Sequence, residues 1–191
     1  MIRLHGNWEF GAAYDEHTTE SVHIGTHENG TAKFQTKRTE MGELVYALKY
    51  RKDNSALPNI IELLDKIEFR PKFDFIIPIP PTNKTRACQP VTLIATAFGT
   101  HLGVPVLTEA LIKSEGGKEL KAITDPQERE DALREGLGIN NAPVLYDKSV
   151  LLIDDVYCSG ATLRASTDLL MKVAKARVVY VLTMTKTRVN R

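Results

Sequence analysis

A run of four aliphatic residues that ends in two acids constrains the fold of this chain more than any other feature. Val150–Ile153 is followed by Asp154 and Asp155, and residues 158–162 are then Cys-Ser-Gly-Ala-Thr. A short, continuous apolar run is typical of a strand that is buried on both faces of a parallel sheet. Leu163–Ala176 has the pattern of a helix. The stretch therefore predicts a strand, a turn of small residues and a helix within an α/β fold.

The turn of small residues that precedes this helix has the chemistry of an anion site. Backbone N–H groups at a helix N-terminus have no partner within the helix, and the helix dipole favours negative charge there. Small side chains leave the approach open to a phosphate. Ligands also bind beyond the carboxyl ends of the strands in open α/β sheets. The sequence predicts an anion site formed by Cys158, Ser159, Gly160, Ala161 and Thr162.

The two acids indicate that the ligand contains more than a phosphate. At the end of a strand, Asp154 and Asp155 can both turn towards one ligand. Paired carboxylates accept hydrogen bonds from vicinal hydroxyls, such as those of a ribose, or help to hold a magnesium ion through water. The alternative is an ordinary strand–turn–helix with a solvated acidic end, which would make the whole pattern a coincidence.

A basic loop follows a second predicted strand, Phe73–Ile79, which prolines end. The loop combines two cations, an amide and two hydroxyls ahead of a predicted helix. These residues are Thr82, Asn83, Lys84, Thr85 and Arg86. Arginine can bind a phosphate through two parallel hydrogen bonds. The loop is therefore either a second anion site or only a basic connection between a strand and a helix.

Residues 150–162 resemble the phosphoribosyl-pyrophosphate (PRPP) fingerprint of type I phosphoribosyltransferases, which is an apolar run, two acids and a small hydroxylic loop. Cys158 departs from that pattern, because threonine or serine is commoner there. Further segments are similar to ComF-like members of the family: Leu48–Asp53, Phe75–Pro80, Arg86 with Gln89, and Thr124 with Gln127. Those proteins usually begin with a cysteine zinc ribbon, which this chain lacks.

The resemblance implies a type I phosphoribosyltransferase-like fold, with a mainly parallel sheet flanked by helices. It also implies catalytic roles for Asp154 and Asp155, which would hold the ribose hydroxyls and favour positive charge on the sugar. Residues 158–162 would bind the 5-phosphate of PRPP, and residues 82–86 its pyrophosphate. The implied cofactor is Mg²⁺, which would reach the site through PRPP and water, near the two acids and without direct protein ligands.

The polar segment Lys113–Gly138 is predicted to be a mobile cover, because the strands on both sides of it belong to one sheet. It contains Gly116-Gly117, dense charge and few large apolar groups. An equivalent loop closes over PRPP in the related transferases. The resemblance therefore implies that cations of this segment meet the pyrophosphate, namely Lys113, Lys118 and Lys121.

Two functions stay open at this point. One is a transferase that moves phosphoribosyl from PRPP to a nucleobase or an amine and releases pyrophosphate. The other is a non-catalytic ComF-like protein that binds PRPP or a nucleotide and serves DNA uptake or regulation. An acceptor pocket would distinguish them, and Thr183–Arg188 is the one region that we nominate for it. That region has no distinctive base-reading pattern.

The first 38 residues differ in pattern from the rest, and predict a small antiparallel β module ahead of an α/β domain at 39–191. Asn7–Tyr14, Ser21–Thr26 and Thr31–Thr36 are expected to be strands of one meander, with a hairpin turn at Asn29-Gly30. Histidines at positions 17, 23 and 27 lack a supporting cysteine or carboxylate pattern. We therefore expect surface histidines and not metal ligands.

The helix after this module has apolar residues at helical spacing from Met41 to Leu48, and Thr39 is expected to cap it. It ends in a basic cluster with one aromatic residue, Lys49–Asp53. Cations suit the C-terminus of a helix, so this cluster is expected to be a solvated helix end.

The composition limits which cellular compartment and which classes of partner are expected for the protein. The chain has 191 residues and a formal net charge of +1, so no global field favours nucleic acid or a membrane. Its two cysteines, Cys88 and Cys158, lie far apart in sequence, and a disulfide framework is not expected. No signal peptide or membrane span is predicted. We expect a cytoplasmic protein whose partners are PRPP and a small-molecule acceptor; a homodimer is left open.

Overall fold

The computed structural model describes residues 1–26, 30–67, 71–81, 89–113 and 136–188. The strands are β1 Ile2–Leu4, β2 Phe10–Glu16, β3 Thr18–Thr26, β4 Ala32–Arg38, β5 Phe75–Pro78, β6 Leu111–Lys113, β7 Leu137–Ile139, β8 Ser149–Tyr157 and β9 Val178–Lys186. The α-helices are α1 Glu40–Tyr46, α2 Ala56–Asp65, α3 Pro90–Leu102 and α4 Ala161–Asp168. Helices α1 and α4 continue as π-helical turns at Ala47–Arg51 and Leu169–Val173, and a 3₁₀ turn covers Ala142–Leu145.

A five-stranded sheet in the order β1-β2-β9-β8-β5 forms the centre of the fold. Strands β2, β9, β8 and β5 are parallel to one another, and β1 is antiparallel to β2 at one edge. Beyond β5, Val106 forms an isolated parallel bridge with Ile76. The predicted α/β fold with a mainly parallel sheet is confirmed.

Strand β8 is buried on both faces of the sheet, as its aliphatic run predicts. Val150 and Leu152 pack on one side with Leu163 of α4, while Leu151 and Ile153 pack on the other side with residues of α1, α2 and α3. All four aliphatic side chains are at most 1% exposed. Burial of each such side chain contributes roughly 1.5–3 kcal/mol, so β8 is held firmly between two helical layers.

Strand β8 extends past the end of its neighbour β5. The pairing with β5 stops at Pro78 opposite Ile153, whereas the pairing with β9 continues to Tyr157 opposite Lys186. The prediction that the two acids end the strand is therefore wrong. Asp154 and Asp155 lie inside β8, at the point where the sheet loses its neighbour on the β5 side.

The first 38 residues divide between two sheets. Strands β1 and β2 belong to the central sheet, and β3 and β4 form a separate antiparallel hairpin. The antiparallel pairing of the predicted hairpin is confirmed, while Asn29 of its predicted turn lies outside the described residues. The three-stranded meander is wrong, because β2 pairs in parallel with β9 and not with β3. Parallel pairing of strands far apart in sequence leaves no local pattern to detect. The proposed domain boundary at residue 38 stays a prediction.

Helix α1 is fixed to the junction between β2 and β3. The Thr39 hydroxyl oxygen accepts a hydrogen bond from the Gly42 N–H at 3.0 Å, which confirms the predicted cap, and the hydroxyl donates to the Glu16 carbonyl at 2.6 Å. Gly42 lies directly against the backbone carbonyl of His17, where a Cβ atom would clash. A glycine at position 42 is therefore what allows the helix to approach this junction.

The segment Lys113–Gly138 is described only at its two ends, where β6 and β7 pair antiparallel to each other. Its predicted role as a mobile cover falls on residues 114–135, outside the described part of the chain. Among the residues that the structure describes, none of the helices combines the length and the apolar character needed to cross a membrane.

We predict that Gly42→Ala destabilises the protein by about 1–3 kcal/mol, although alanine is the better helix former, because a backbone carbonyl cannot move aside as a side chain can. Urea unfolding measures the change. Gly138→Ala is the control, because its new methyl would meet a side-chain carbon of Ile112 at 3.0 Å and no backbone atom. Equal losses of stability in the two variants would contradict the close approach at Gly42.

Candidate functional site

A pocket of about 280 Å³ opens where β8 extends past β5. Asp154 and Asp155 of β8, Thr162 of α4 and Lys113 of β6 line it. Lys49, from the π-helical turn after α1, is also part of the wall. The remaining wall consists of Ile79, Pro80, Pro81, Gln89, Pro90, Val91 and Thr92. The fold thus joins both predicted acids to one residue of the predicted anion turn and to one predicted loop cation.

Asp154 is partly exposed by surface area, yet protein atoms surround its carboxyl densely. Burial, followed by the negative charge of Asp155, raises the pKa of Asp154 to about 7. Three interactions oppose this rise: a 2.8 Å hydrogen bond from the Asp155 N–H, and the positive charges of Lys49 and Lys113. The protonated form of this carboxyl is therefore favoured much more than in an ordinary aspartate.

Asp155 is buried, with 7% of the residue exposed, and forms an ion pair and hydrogen bond with the Lys49 ammonium through Oδ2. Its backbone is also fixed, since its carbonyl accepts a hydrogen bond from Thr185 Oγ1 at 3.3 Å. The two adjacent acids thus have different surroundings. Asp155 has a cation in contact, while Asp154 faces the pocket with weaker compensation.

Lys49 contradicts the expectation that residues 49–53 form a solvated helix end. Tyr50, Arg51 and Lys52 are exposed, but the Lys49 side chain is only 23% exposed and reaches β8. The sequence does contain a signal for this position. Residue 49 follows the buried Val45 by four places, so an α-helical period continued past α1 would put the lysine on the same side as Val45; in the structure it lies on the π-helical turn that follows α1.

His17 is not the surface histidine that was expected, because it is partly buried. Its Nδ1 lies within hydrogen-bond distance of Thr185 Oγ1, at 3.0 Å, and the same hydroxyl lies 3.3 Å from the Asp155 carbonyl oxygen. Burial, followed by the charge of Arg38, lowers the pKa of His17; Lys49 adds to this effect and Asp155 opposes it. The imidazole is therefore neutral at neutral pH.

The predictions for the other two histidines, His23 and His27, have different outcomes. His23 is exposed and makes an edge contact with the ring of Phe34, as expected of a surface histidine. His27 lies outside the described residues. In the described ranges, no group of three or more histidine, cysteine, aspartate or glutamate side chains is arranged to hold a metal ion.

The predicted anion turn leads from β8 into α4, and Thr162 is its member in the pocket wall. Cys158 and Ser159 are exposed, and Ala161 is the first residue of α4. The Arg164 guanidinium donates to the Ser159 carbonyl at 3.0 Å and so braces the turn. Arg164 thus adds positive charge beside the turn, and it was not among the predicted site residues.

Gly160 precedes α4 with a φ of 75°, a conformation that favours glycine. A Cβ atom at this position would also lie 2.6 Å from the ring of Tyr157. Both constraints come from the protein itself, so a substitution here would disturb the turn before any ligand is bound.

Several predicted site residues fall outside the described part of the chain. These are Thr82, Asn83, Lys84, Thr85, Arg86, Lys118 and Lys121. Lys113 is described, and it lies in the pocket wall as the last residue of β6. Burial lowers the pKa of the Lys113 ammonium, and the charge of Asp154 opposes that change.

The region nominated for an acceptor, Thr183–Arg188, is split between the core and a second pocket. Thr183 and Thr185 are fully buried in β9, while Thr187 and Arg188 line a pocket of about 520 Å³ together with His17 and residues of β3. Arg188 pairs with Glu16 at 3.4 Å. The role of this region in binding an acceptor stays a prediction.

Comparisons with known proteins give matches among solved structures. No protein-family model matches the chain, and a search of curated proteins finds no match either. Glutamine PRPP amidotransferase from B. subtilis, complexed with ADP and GMP, matches 83% of this chain and 34% of its own, at 21% identity and a TM-score of 0.53. A structure described as the allosteric regulatory enzyme of purine biosynthesis gives the same coverage, identity and TM-score. The chain thus spans about a third of the length of these two proteins.

Adenine phosphoribosyltransferase from Thermoanaerobacter pseudethanolicus matches 87% of this chain and 94% of its own, at 18% identity and a TM-score of 0.46. The fold assignment rests on the two structures with the higher score. At about one identical residue in five, the similarity concerns the fold. The chain has the type I phosphoribosyltransferase-like α/β fold that its sequence predicted.

Proposed function

We propose that this protein is a Mg²⁺-dependent phosphoribosyltransferase that transfers phosphoribosyl from PRPP to a nucleobase or an amine, with release of pyrophosphate. The supporting observation is the pocket at the carboxyl end of β8, where Asp154 and Asp155 lie beside the turn that opens α4. This arrangement occurs on a fold shared with a PRPP amidotransferase.

Asp154 and Asp155 are the proposed catalytic residues. Their carboxylate oxygens would accept hydrogen bonds from the ribose hydroxyls. Departure of pyrophosphate leaves positive charge on the sugar, and a negative charge fixed nearby stabilises that charge most as it develops. Asp154, whose pKa is about 7 without ligand, would become more fully ionised beside a cationic sugar.

The turn formed by Cys158, Ser159, Gly160, Ala161 and Thr162 is the proposed 5-phosphate site. Helix α4 begins at Ala161, so its N-terminal N–H groups and its dipole favour an anion at this turn. Most contacts would come from the backbone, and cysteine at position 158 is therefore compatible with the role. The Arg164 guanidinium, which holds the Ser159 carbonyl, would keep the turn in shape.

Mg²⁺ fits the chemistry of this pocket. The available donors are carboxylate oxygens, which Mg²⁺ prefers, and the described residues form no closed set of protein ligands. The ion would be held through PRPP and water near Asp154 and Asp155, and when bound it would neutralise the departing pyrophosphate. The proposed pyrophosphate residues are Thr82, Asn83, Lys84, Thr85 and Arg86, with Lys113, Lys118 and Lys121 contributing from the following loop.

We predict that the double variant Asp154→Asn/Asp155→Asn binds PRPP in Mg²⁺ at least about tenfold more weakly than the wild type, because charge-assisted hydrogen bonds to the ribose are lost. Isothermal titration calorimetry measures the affinity, and circular dichroism checks the fold. Asp147→Asn is the matched control, since this exposed acid lies just before the opposite end of β8. Unchanged PRPP affinity in the double variant would remove the two acids from the site.

Turnover is tested separately from binding. We expect pyrophosphate release when the wild-type protein is mixed with PRPP, Mg²⁺ and the right member of a panel of nucleobases and amines. The double variant should release none. PRPP binding without release for any acceptor would favour the non-catalytic PRPP-binding alternative.

We also predict that Asp154→Asn stabilises the protein against unfolding at about pH 8 more than at about pH 4. The pKa of Asp154 is about 7 in the folded protein and ordinarily 3.8, so the folded state binds this proton more tightly. The resulting stabilisation is present at low pH and is lost as the pH rises through the folded pKa. Asparagine is neutral at both pH values and avoids that loss. Urea unfolding at both pH values measures the free energy of unfolding of the wild type, Asp154→Asn and the control Asp147→Asn. If Asp154→Asn raises the free energy of unfolding equally at both pH values, the prediction is contradicted.

A further inference from the structure

The ion pair between Lys49 and Asp155 joins two residues that are 106 positions apart in the chain. Lys49 is on the π-helical turn Ala47–Arg51, whose first two residues are buried and whose last two are exposed. The turn therefore anchors the chain in the core, and its lysine reaches the Asp155 carboxylate of β8. Both residues line the pocket, with 23% of the Lys49 side chain and 10% of the Asp155 side chain exposed.

Lys49 sets the orientation of the Asp155 carboxylate. The backbone of Asp155 is already fixed, because its N–H donates to Asp154 Oδ1 and its carbonyl accepts from Thr185. The remaining freedom is rotation of the side chain, and the Lys49 ammonium fixes it by occupying Oδ2. Among the contacts of the described residues, the Lys49 ammonium thus engages one of the two carboxylate oxygens of a pocket-lining acid.

Stability alone does not explain this pair. An ion pair shielded from water adds little net stability compared with apolar residues of similar volume. Orientation of a binding group is the benefit that the geometry does supply.

We propose that Lys49 is a positioning residue of the phosphoribosyl site, which holds Oδ2 of Asp155 so that Oδ1 faces a ribose hydroxyl. The inference rests on the proposed function and adds to it a residue outside the PRPP fingerprint. The proposed route from Lys49 to the sugar is through Asp155, although its charge also favours the ionised form of Asp154. Its effect should therefore be the same for every ligand that contains the ribose 5-phosphate unit.

The test compares Lys49→Met with Lys52→Met in the full chain by calorimetry, using ribose 5-phosphate and PRPP with Mg²⁺. Lys52 belongs to the same basic cluster but is exposed, so it is the matched control. We expect Lys49→Met to weaken both ligands by a similar factor of about ten, the effect of one misplaced charge-assisted hydrogen bond. Lys52→Met should leave both affinities unchanged, and Lys49→Arg should restore most of the loss.

A double-mutant cycle with Asp155→Asn separates positioning from other roles. If Lys49 acts mainly through Asp155, Lys49→Met causes a much smaller loss in the Asp155→Asn background than in the wild type. Full additivity there, or a much larger loss for PRPP than for ribose 5-phosphate, would overturn the proposal. Lys49→Gln, which keeps a donor without the charge, replaces Lys49→Met if the latter does not fold. If the wild-type protein binds neither sugar phosphate, the proposed function itself is contradicted. If the wild type binds them and Lys49→Met leaves that binding unchanged, only the proposal for Lys49 is contradicted.

Discussion

The burial of β8 on both faces is the constraint on which the rest of the structure depends. Its four aliphatic residues tie the helices of both layers to one strand, and this fixes where the strand ends relative to its neighbours. Because β5 ends at Pro78 while β9 continues, the next two residues of β8 have no strand partner on the β5 side. Those residues are Asp154 and Asp155. The pocket is thus a consequence of unequal strand lengths in a firmly packed sheet.

The ionisation of the acids in the pocket depends on two opposing effects: burial, which disfavours a charged carboxylate, and nearby cations, which favour it. Burial and the adjacent carboxylate disfavour the ionised form of Asp154, and two lysines from distant elements partly offset the cost. Strongly shifted acids in a pocket are a feature of functional sites, because a fold under no other demand would replace them with apolar residues. The cost in stability and the proposed role in binding are therefore two effects of the same arrangement.

The site also links parts of the chain that are remote in sequence. The His17 side chain bonds to Thr185, and Thr185 bonds to the carbonyl of Asp155. The carbonyl of His17 meanwhile packs against Gly42 of α1, the helix that leads to Lys49. The junction of β2 and β3, the start of α1 and the carboxyl end of β8 thus form one connected structure. A change at the junction is expected to reach the acids through these contacts.

The sequence by itself determined the features that depend on neighbouring residues. The aliphatic run required a doubly buried strand, the small residues after it led into α4, and Thr39 capped α1, because each depends on local spacing or on one short hydrogen bond. Tertiary structure alone decided that β2 lies beside β9, that β8 continues past its acids, and that Lys49 meets Asp155. The sequence favoured a solvated helix end at Lys49, because its partner is 106 residues away. Parallel pairing and ion pairs of this kind arise only when the chain is packed, so no local period in the sequence encodes them.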